Sequence, residues 1–309
     1  MLYFIQMDFL ANIYSKANKN FARIALPDSN DPRILLAAEK IVRSKLANIV
    51  LFGSKKSLEK ISYDNGCDIS GIEIIDIKAE DQIRHSFVML NDGSIDAVVC
   101  GVASNKNKII ESIISVFNPK FFSAFNVLIS KNTDIGEDGL LLFADSAVNI
   151  NPNANDLANI AVQTADSFIK LTNREPHIAV ISHSTKSDYS DETSLKSAEA
   201  VKILRQKKVS FTFDGELQAD TAILPRSAKK KDPEGVLEGF SNALIFPDLT
   251  AANISLKLLN ALTDAVSIGS IIQGISKKIG FVSRSCVSDD IINAVAAVGA
   301  MIDRDQNIE

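Results

Sequence analysis

The 309-residue chain has no tryptophan, and it has only three cysteines and three histidines. The cysteines, Cys67, Cys100 and Cys286, are widely spaced, form no CxxC pair and show no metal-ligand spacing, which argues against a disulfide framework. We therefore expect reduced thiols in a cytoplasmic protein. Of the histidines, only His183 ends a strand-like segment beside other candidate site residues, so imidazole catalysis has few places to occur.

The sequence also lacks long apolar runs and dense positive charge. No run reaches the roughly 20 apolar residues of a membrane-spanning helix, and the opening MLYFIQMDFL has no basic n-region, so it makes a poor signal peptide. The net charge is −5, and the one basic cluster, Lys229-Lys230-Lys231, is weak support for nucleic-acid binding. These absences predict a cytoplasmic protein with no membrane or nucleic-acid partner, which would hold an anionic substrate through local groups.

Several familiar motifs are missing. No GxGxxG follows a strand-like segment and no GxxxxGK[ST] occurs, so neither the usual dinucleotide fingerprint nor a P-loop is present. A GxSxG elbow and an HExxH helix are absent as well. Any chemistry must therefore be sought in the loops of the fold.

What the sequence does contain is an alternation of strand-like and helical segments, which is typical of βαβ units with helices on both faces of mostly parallel sheets. A chain of this length most simply forms two domains. The predicted strands cover residues 21–26, 48–53, 72–75, 95–100, 121–130, 140–144, 177–182, 209–213, 242–246, 266–271 and 279–283. Predicted helices include residues 32–44, 155–172, 193–207 and 289–302.

Polar loops follow many of these strands. Ligands bind outside the carboxyl ends of the strands in such sheets, so these loops are candidate sites. In the first of them, Arg33 stands at a helix start and is interpreted as a surface or hinge residue. The loops read PDSNDPR (27–33), ADSAVNINP (144–152), SHSTKSD (182–188), DGELQAD (214–220), PDLTAANI (247–254) and SRSCVSDD (283–290).

The last of these loops has more polar groups than a helix start requires. Helix capping explains Ser288 as the N-cap, and it explains Asp289 and Asp290 as carboxylates at the positive end of the helix dipole. It does not explain the Ser283-Arg284 pair that precedes them. The residues alone leave capping and chemistry both open.

The segment after the predicted strand 209–213 contains three acidic residues, Asp214, Glu216 and Asp220. An acidic trio after a strand can hold a divalent cation, which would suit a metal-dependent decarboxylating dehydrogenase of two-domain shape. The other carboxylate pairs that such an enzyme needs are not evident in the sequence. We therefore expect no metal site.

Six segments, in order over residues 140–302, resemble the phosphate acetyltransferase (phosphotransacetylase) family within the wider acetyl/butyryl phosphate transferases. Residues 24–41 resemble the opening βα unit of that family. GELQ-x-D and IFPDL resemble the acetyl branch more than the butyryl branch. The six segments are FADSAVNINP (143–152), SHSTKS (182–187), DGELQAD (214–220), IFPDLTAANI (245–254), IGSIIQG (268–274) and SRSCVSDDI (283–291).

The resemblance implies two three-layer α/β domains with mostly parallel sheets and an interdomain cleft, of the isocitrate/isopropylmalate dehydrogenase-like kind. The first domain would contain residues 1–145 and 285–309, and the second would contain residues 146–284. The family's reaction is acetyl-CoA + phosphate = CoA + acetyl phosphate. Coenzyme A is a substrate in this reaction, no cofactor is needed, and members commonly form homodimers.

By the same resemblance, Ser283, Arg284 and Asp290 occupy the catalytic positions, and the chemistry accounts for their types. A thiol with a pKa of about 8.5 is mostly protonated at neutral pH. Asp290 would take its proton as the sulfur attacks the acyl carbonyl. Ser283 would donate a hydrogen bond to the transition state, and Arg284 would clamp the anion.

Six further positions are predicted to bind substrate. Ser184, Thr185 and Lys186 would hold phosphate or CoA through hydroxyls and a point charge, although a polar loop ending a strand is the alternative. Lys257 lies one turn after Asn253, and packing explains this spacing as readily as ligand contact. The predicted substrate-binding residues are Asn149, Ser184, Thr185, Lys186, Asn253 and Lys257.

The chain departs from the family at four positions. Glu111 falls at or near an arginine of the family, and an acid there would repel phosphate. Phe240 stands where a basic residue is common, and Ser187 and Ser285 replace glycines that allow close backbone approach.

Three interpretations follow: an active phosphate acetyltransferase, which we favour, a transferase for another acyl group, and a non-catalytic CoA- or metabolite-binding protein with a degenerate phosphate site.

Overall fold

A computed structural model describes residues 2–186 and 191–302 of the chain. These residues form two compact units. The terminal unit contains residues 10–121 and 275–302, and the central unit contains residues 2–9 and 122–274 apart from residues 187–190. No helix within the described ranges is both long and apolar enough to cross a membrane.

The order of helices and strands along the chain follows the predicted alternation, and each predicted strand has a counterpart. The strands are β1 (Arg23–Leu26), β2 (Asn48–Phe52), β3 (Glu73–Ile75), β4 (Ala97–Cys100), β5 (Ser123–Ile129), β6 (Leu140–Ala144), β7 (His177–Ile181), β8 (Thr212–Leu217), β9 (Ala243–Ile245), β10 (Val266–Gln273) and β11 (Lys278–Phe281). The helices are α1 (Leu2–Asn20), α2 (Pro32–Arg43), α3 (Lys55–Asp64), α4 (Gln82–Asp92), α5 (Lys106–Phe117), α6 (Ala154–Thr172), α7 (Glu192–Lys207), α8 (Ala219–Ile223), α9 (Pro225–Lys231), α10 (Leu249–Leu262) and α11 (Ser288–Ala300).

The terminal unit is built on a parallel sheet in the order β3-β2-β1-β4-β11. Its strands are short apolar runs because a parallel sheet covered by helices is buried on both faces. In β1, for example, Ile24, Ala25 and Leu26 are completely buried. The loops at the carboxyl ends of β1, β4 and β11 therefore belong to one edge of this sheet.

Helix α11 is packed into the core of the terminal unit. All of its residues from Ile291 to Ala300 are buried except Asn293, whose side chain accepts a hydrogen bond of 2.8 Å from the Tyr14 hydroxyl. The helix is rich in alanine, valine and glycine, so neighbouring elements approach it closely. A Cβ atom added to Gly299 would lie 3.3 Å from the Cβ of Ala17.

The central unit has a mixed sheet in the order β10-β5-β6-β9-β7-β8. Strand β5 pairs antiparallel with both β10 and β6, and the β6-β9, β9-β7 and β7-β8 pairs are parallel. Antiparallel neighbours need no crossover helix, and none lies between β5 and β6. With the terminal sheet, this arrangement confirms the predicted α/β class with mostly parallel sheets.

The two units begin and end at different residues from the predicted domains, which ended after residues 145 and 284. Strands β5 and β6 group with the central unit because they pair with β10 and β9. Strand β11 groups with the terminal unit because it pairs with β4. The interdomain cleft stays a prediction.

Strand β8 extends beyond the predicted segment 209–213 and runs from Thr212 to Leu217. Asp, Gly and Glu are uncommon in strands, so the DGEL pattern predicts a loop. In the structure both carboxylate residues of this segment are buried, and Gly215 has a φ of 151°. A Cβ atom on Gly215 would lie 2.5 Å from the carbonyl oxygen of Val180, so glycine lets β8 lie close to β7.

Candidate active site

The β11–α11 loop (residues 282–287) carries two of the three predicted catalytic residues. Ser283 and Arg284 are exposed there. The Oγ atoms of Ser283 and Ser285 lie 2.9 Å apart, and the Cys286 N–H donates a hydrogen bond of 2.9 Å to the Ser283 carbonyl oxygen. The loop is thus a tight turn with a hydroxyl and a guanidinium accessible to solvent.

Asp290, the third predicted catalytic residue, lies in the first turn of α11. Its Oδ2 accepts a hydrogen bond of 2.9 Å from the Val287 N–H, so this carboxylate holds the start of the helix. Ser288 is the first helical residue and Val287 is the N-cap, which corrects the predicted N-cap by one position. Asp289 is exposed and pairs with Lys40 at 2.8 Å. The Val287 bond fixes the half-buried Asp290 and leaves Oδ1 outside the cap.

The Arg33 side chain contacts the backbone of the same loop. Its Nη1 donates to the carbonyl oxygens of Arg284 at 2.7 Å and Cys286 at 2.8 Å, and its Nη2 donates to the carbonyl oxygen of Val102 at 3.3 Å. Asp31 accepts from Nε at 3.0 Å and from Nη2 at 2.9 Å. Arg33, which we interpreted as a surface or hinge residue, keeps 30% of its side chain exposed and also bonds to the backbone of this loop.

Cys286 is a buried member of this loop. Burial raises the pKa of its thiol, and the nearby Arg33 guanidinium opposes that rise. The thiol is therefore kept protonated at neutral pH. A buried, protonated thiol is a poor nucleophile.

A depression of about 560 Å³ lies at the carboxyl ends of β1 and β4 in the terminal unit. Asp28 lines it and accepts hydrogen bonds from the Ser104 hydroxyl and, at 3.0 Å, from the Gly101 N–H. Asp31 and Glu80 also line the depression. Asp31 is paired with Arg33, so Asp28 and Glu80 are the carboxylates that make this wall unfavourable for a phosphate group.

The positions that depart from the family lie on exposed surfaces where the structure describes them. Glu111 is exposed on α5, Ser285 is exposed in the β11–α11 loop, and Phe240 is 49% exposed. Lys108, one turn before Glu111, donates to the carbonyl oxygen of Glu80. Ser187 lies outside the described residues. Their effect on phosphate binding stays a prediction.

In the central unit, the β6–α6 loop (residues 145–153) is organised by the buried carboxylate of Asp145. This carboxylate accepts hydrogen bonds of 2.9 to 3.2 Å from the backbone N–H groups of Ala124, Ala147, Val148 and Asn149. Burial raises the pKa of Asp145, and these hydrogen bonds oppose the rise. The side-chain amide of Asn149 donates to Asp145 as well as to the Phe122 carbonyl oxygen. The predicted substrate-binding residue Asn149 is thus engaged inside the loop.

The loop after β7 contains two buried hydroxyl residues, Ser184 and Thr185, followed by the charged Lys186. Ser184 and Thr185 are 0% and 1% exposed. The Ser184 hydroxyl donates to Glu216 at 3.4 Å, and the Thr185 hydroxyl accepts a bond of 3.1 Å from the Gln218 N–H. These contacts tie the loop to β8 and its end.

Lys186 forms an ion pair within the protein. Its ammonium contacts Asp214, whose side chain is 5% exposed, and lies 3.7 Å from Asp232. Burial raises the pKa of Asp232, and Lys186 acts in the opposite direction. An anionic substrate would have to compete with these carboxylates for Lys186.

The acidic trio of the central unit is not arranged as a metal site. Asp214 pairs with Lys186, and Asp220 pairs with Lys231 at 2.8 Å. Over residues 2–186 and 191–302, no three His, Cys, Asp or Glu side chains are placed to hold a metal ion.

Helix α10 carries the last two predicted substrate-binding residues. Asn253 and Lys257 are both exposed, one turn apart on the helix. Ile254, Leu258 and Leu262 form an adjacent exposed apolar stripe. Both the polar pair and the apolar stripe are accessible to a ligand or a partner.

The sequence of the chain has recognisable relatives. A family model described as phosphate acetyl/butaryl transferase matches residues 8–88 and 78–298. The chain is 35% identical to a phosphate acetyltransferase from Clostridium acetobutylicum, over 94% of this chain and 97% of that protein. It is also 35% identical to a phosphate acetyltransferase from Borreliella burgdorferi, over 93% of this chain and 94% of that protein.

Solved structures with a similar fold include the EutD phosphotransacetylase from Staphylococcus aureus. Its TM-score is 0.83 at 25% identity, covering 96% of this chain and 99% of that chain. A 4-hydroxythreonine-4-phosphate dehydrogenase from Burkholderia phymatum has a TM-score of 0.61 at 14% identity, covering 91% of this chain and 98% of that chain. At that identity the second likeness shows the fold alone.

Proposed function

Because the chain belongs to the phosphate acetyl/butaryl transferase family, we propose that it is a phosphate acetyltransferase, which moves an acetyl group reversibly between coenzyme A and phosphate. The observation that carries this proposal is the β11–α11 junction. It combines an exposed hydroxyl, an exposed guanidinium and a carboxylate held by the helix start. These are the groups that an acyl transfer to or from a thiol requires.

In the direction of acetyl-CoA synthesis, Asp290 removes the proton from the CoA thiol, and the sulfur attacks the carbonyl carbon of acetyl phosphate. A C–S bond forms and the carbonyl oxygen becomes an oxyanion, which the Ser283 hydroxyl stabilises by a hydrogen bond. The intermediate then collapses, the C–O bond to phosphate breaks, and phosphate leaves with its charge held by Arg284. The proton on Asp290 passes to the phosphate, and the carboxylate is restored.

The capped carboxylate suits this role. The bond from the Val287 N–H holds Oδ2 of Asp290 in one orientation, so that Oδ1 is the oxygen proposed to accept the thiol proton. Holding the base in place saves the entropy of orienting it during the reaction.

The remaining predicted residues are assigned to substrate binding in two ways, by direct contact with the ligand or by shaping the loops around it. The exposure of Asn253 and Lys257 supports direct contact with CoA or phosphate. The internal bonds of Asn149, Ser184 and Thr185 support a role in shaping the loops that surround the ligand. Lys186 would reach the substrate only by leaving its carboxylate partners.

CoA and phosphate are the substrates of the proposed enzyme, no resident cofactor or metal takes part, and it acts in the cytoplasm as a homodimer. The exposed apolar stripe of α10 supports association with a second copy of this chain, because such side chains are stabilised by burial. Light scattering on the purified protein would measure the mass in solution, and a monomer would overturn the dimer.

The test is formation of acetyl phosphate from acetyl-CoA and phosphate by the wild type and by Asp290→Asn. We expect product from the wild type and a loss of about 1000-fold in the variant, since the base is removed. Asp289→Asn is the matched control: it removes a neighbouring exposed carboxylate that pairs with Lys40, and it should keep wild-type activity.

The outcomes separate the three interpretations. Propionyl- or butyryl-CoA used faster than acetyl-CoA would indicate a transferase for another acyl group. CoA binding without any product would indicate a non-catalytic protein. Equal rates for Asp290→Asn and the wild type would remove Asp290 from the mechanism.

A further inference from the structure

We propose that Asp31 and Arg33 are positioning residues of the reaction: together they hold the backbone of the β11–α11 loop in the conformation that presents Ser283 and Arg284. This inference rests on the proposed function, because it takes Ser283 and Arg284 as the groups that contact substrate. Neither Asp31 nor Arg33 is proposed to touch the substrate.

Arg33 makes hydrogen bonds to three loops of the terminal unit. Its guanidinium donates to the carbonyl oxygens of Arg284, Cys286 and Val102, and it donates through two nitrogens to Asp31. Arg33 is the second residue of α2, Val102 follows β4, and the other two carbonyls follow β11. One side chain thus joins the loops at the carboxyl ends of three strands of the terminal sheet.

The loop contacts fall on backbone carbonyls of Arg284 and Cys286, which lie between Ser283 and Asp290 in the sequence. The carbonyl oxygens of Arg284 and Cys286 face Arg33, so the peptide planes after these two residues are fixed. The Cys286 N–H is already bonded to the Ser283 carbonyl oxygen, and the Val287 N–H is bonded to Asp290. Removing Arg33 would release the two carbonyls in the middle of this otherwise bonded turn.

Asp31 determines where the guanidinium lies. Its carboxylate accepts from two nitrogens of Arg33 in a fork, and the same carboxylate accepts the Arg33 N–H as the N-cap of α2. The planar fork of arginine fits two acceptors on one side and carbonyls on the other, which a lysine ammonium cannot reproduce. Arg33 also lowers the pKa of Asp31, so the pair stays charged at neutral pH.

The experiment compares Arg33→Ala, Arg33→Lys and Asp31→Asn with the matched control Arg43→Ala. Arg43 lies on the same helix, and its side chain is 72% exposed and pairs with Glu39 at 2.8 Å. The readouts are kcat and KM for acetyl phosphate formation, thermal stability, and restoration of activity to Arg33→Ala by added methylguanidinium.

We expect kcat to fall by about 100-fold in Arg33→Ala, because small displacements of reacting groups have effects of this size. Smaller losses of about 10-fold are expected for Arg33→Lys and Asp31→Asn, with KM for both substrates within about 3-fold of the wild type. Methylguanidinium should restore part of the activity of Arg33→Ala and should leave the activity of the Arg43→Ala control unchanged. A merely structural role would lower thermal stability without this rescue.

Two results would overturn the proposal. An increase in KM for phosphate or CoA at unchanged kcat would show that Arg33 binds substrate directly. Unchanged kcat and KM in the folded variants would show that the loop needs no support. If Arg33→Ala does not fold, Arg33→Lys and Asp31→Asn decide between the same outcomes.

A measurement without catalysis separates this proposal from the proposed function. Hydrogen–deuterium exchange of the peptide containing residues 282–290 should be faster in Arg33→Ala than in the wild type and the Arg43→Ala control. Faster exchange in a protein whose wild type makes no acetyl phosphate would overturn the function but keep the structural part of the inference. Equal exchange would overturn the inference whatever the activity.

Discussion

The β11–α11 loop of the terminal unit and the β6–α6 loop of the central unit are held by charges of opposite sign. In the first, the Arg33 guanidinium donates to backbone carbonyl oxygens. In the second, the Asp145 carboxylate accepts from backbone N–H groups. The first loop therefore has its carbonyl oxygens occupied by a guanidinium that is itself paired with Asp31, and the second loop has its N–H groups occupied by a buried carboxylate.

The β11–α11 loop is better suited to bind an anion than the β6–α6 loop. Backbone N–H groups are common ligands of phosphate, but those of residues 147–149 already bind Asp145. In the β11–α11 loop it is the carbonyls that are occupied, and the guanidinium of Arg284 remains exposed. We therefore expect substitutions in the first loop to affect activity and those in the second to affect stability.

The largest expected effect is that of Arg284→Gln on activity. Losing the positive charge that stabilises the leaving phosphate should lower kcat/KM by about 100- to 1000-fold. The free energy of unfolding should change little because the side chain is exposed. Steady-state assays and urea unfolding would measure the two quantities, with Arg43→Gln as the control. A large loss of stability would contradict the expectation that substitutions in this loop affect activity alone.

Asp145→Asn should show the opposite behaviour. An amide in place of the carboxylate turns an NH2 group toward backbone N–H donors that then lack an acceptor, at a cost of about 3 kcal/mol. Urea unfolding would measure this cost, and Asp166→Asn, which removes an exposed carboxylate of the same unit paired with Lys170, should cost less than about 0.5 kcal/mol. Equal costs for the two variants would show that the buried bonds do not stabilise the loop.

The smallest expected effect concerns the pH dependence of Asp31. Its pKa is lowered in the folded protein, first by the hydrogen bond from Arg33. A lowered carboxyl pKa contributes stability above the unfolded pKa, about 3.9, and this contribution is lost as pH falls through the folded pKa. The Tm difference between the wild type and Asp31→Asn should thus be constant from pH 7 to 5 and shrink below about pH 4. A difference that is constant down to pH 3 would contradict the assignment.

Much of the fold could be predicted because strand and helix patterns are local in the sequence. The exception was β8, where Asp214, Gly215 and Glu216 have low strand propensity but continue the strand. Their placement depends on neighbours: Glu216 meets Ser184, and Gly215 allows the approach of β7. Tertiary contacts of this kind override propensity and leave no periodic signal.

The candidate site could be predicted only in part. The resemblance identified Ser283, Arg284 and Asp290, and the structure places them at one loop–helix junction, while their roles stay predictions. The contacts of Arg33 were missed because its partner carbonyl on Arg284 is 251 residues away. A backbone carbonyl has no residue type, so no sequence motif could indicate it. The Asp31 N-cap before Arg33 was the one local signal.

Helix α11 has a consequence for altering this protein by mutagenesis. Its first turn carries Asp290, and its remaining residues are almost all buried, most of them alanine, valine or glycine. Larger side chains from Ile291 to Ala300 would overfill the core and shift the carboxylate. A library aimed at new acyl donors should therefore leave this helix unchanged and place its substitutions outside it.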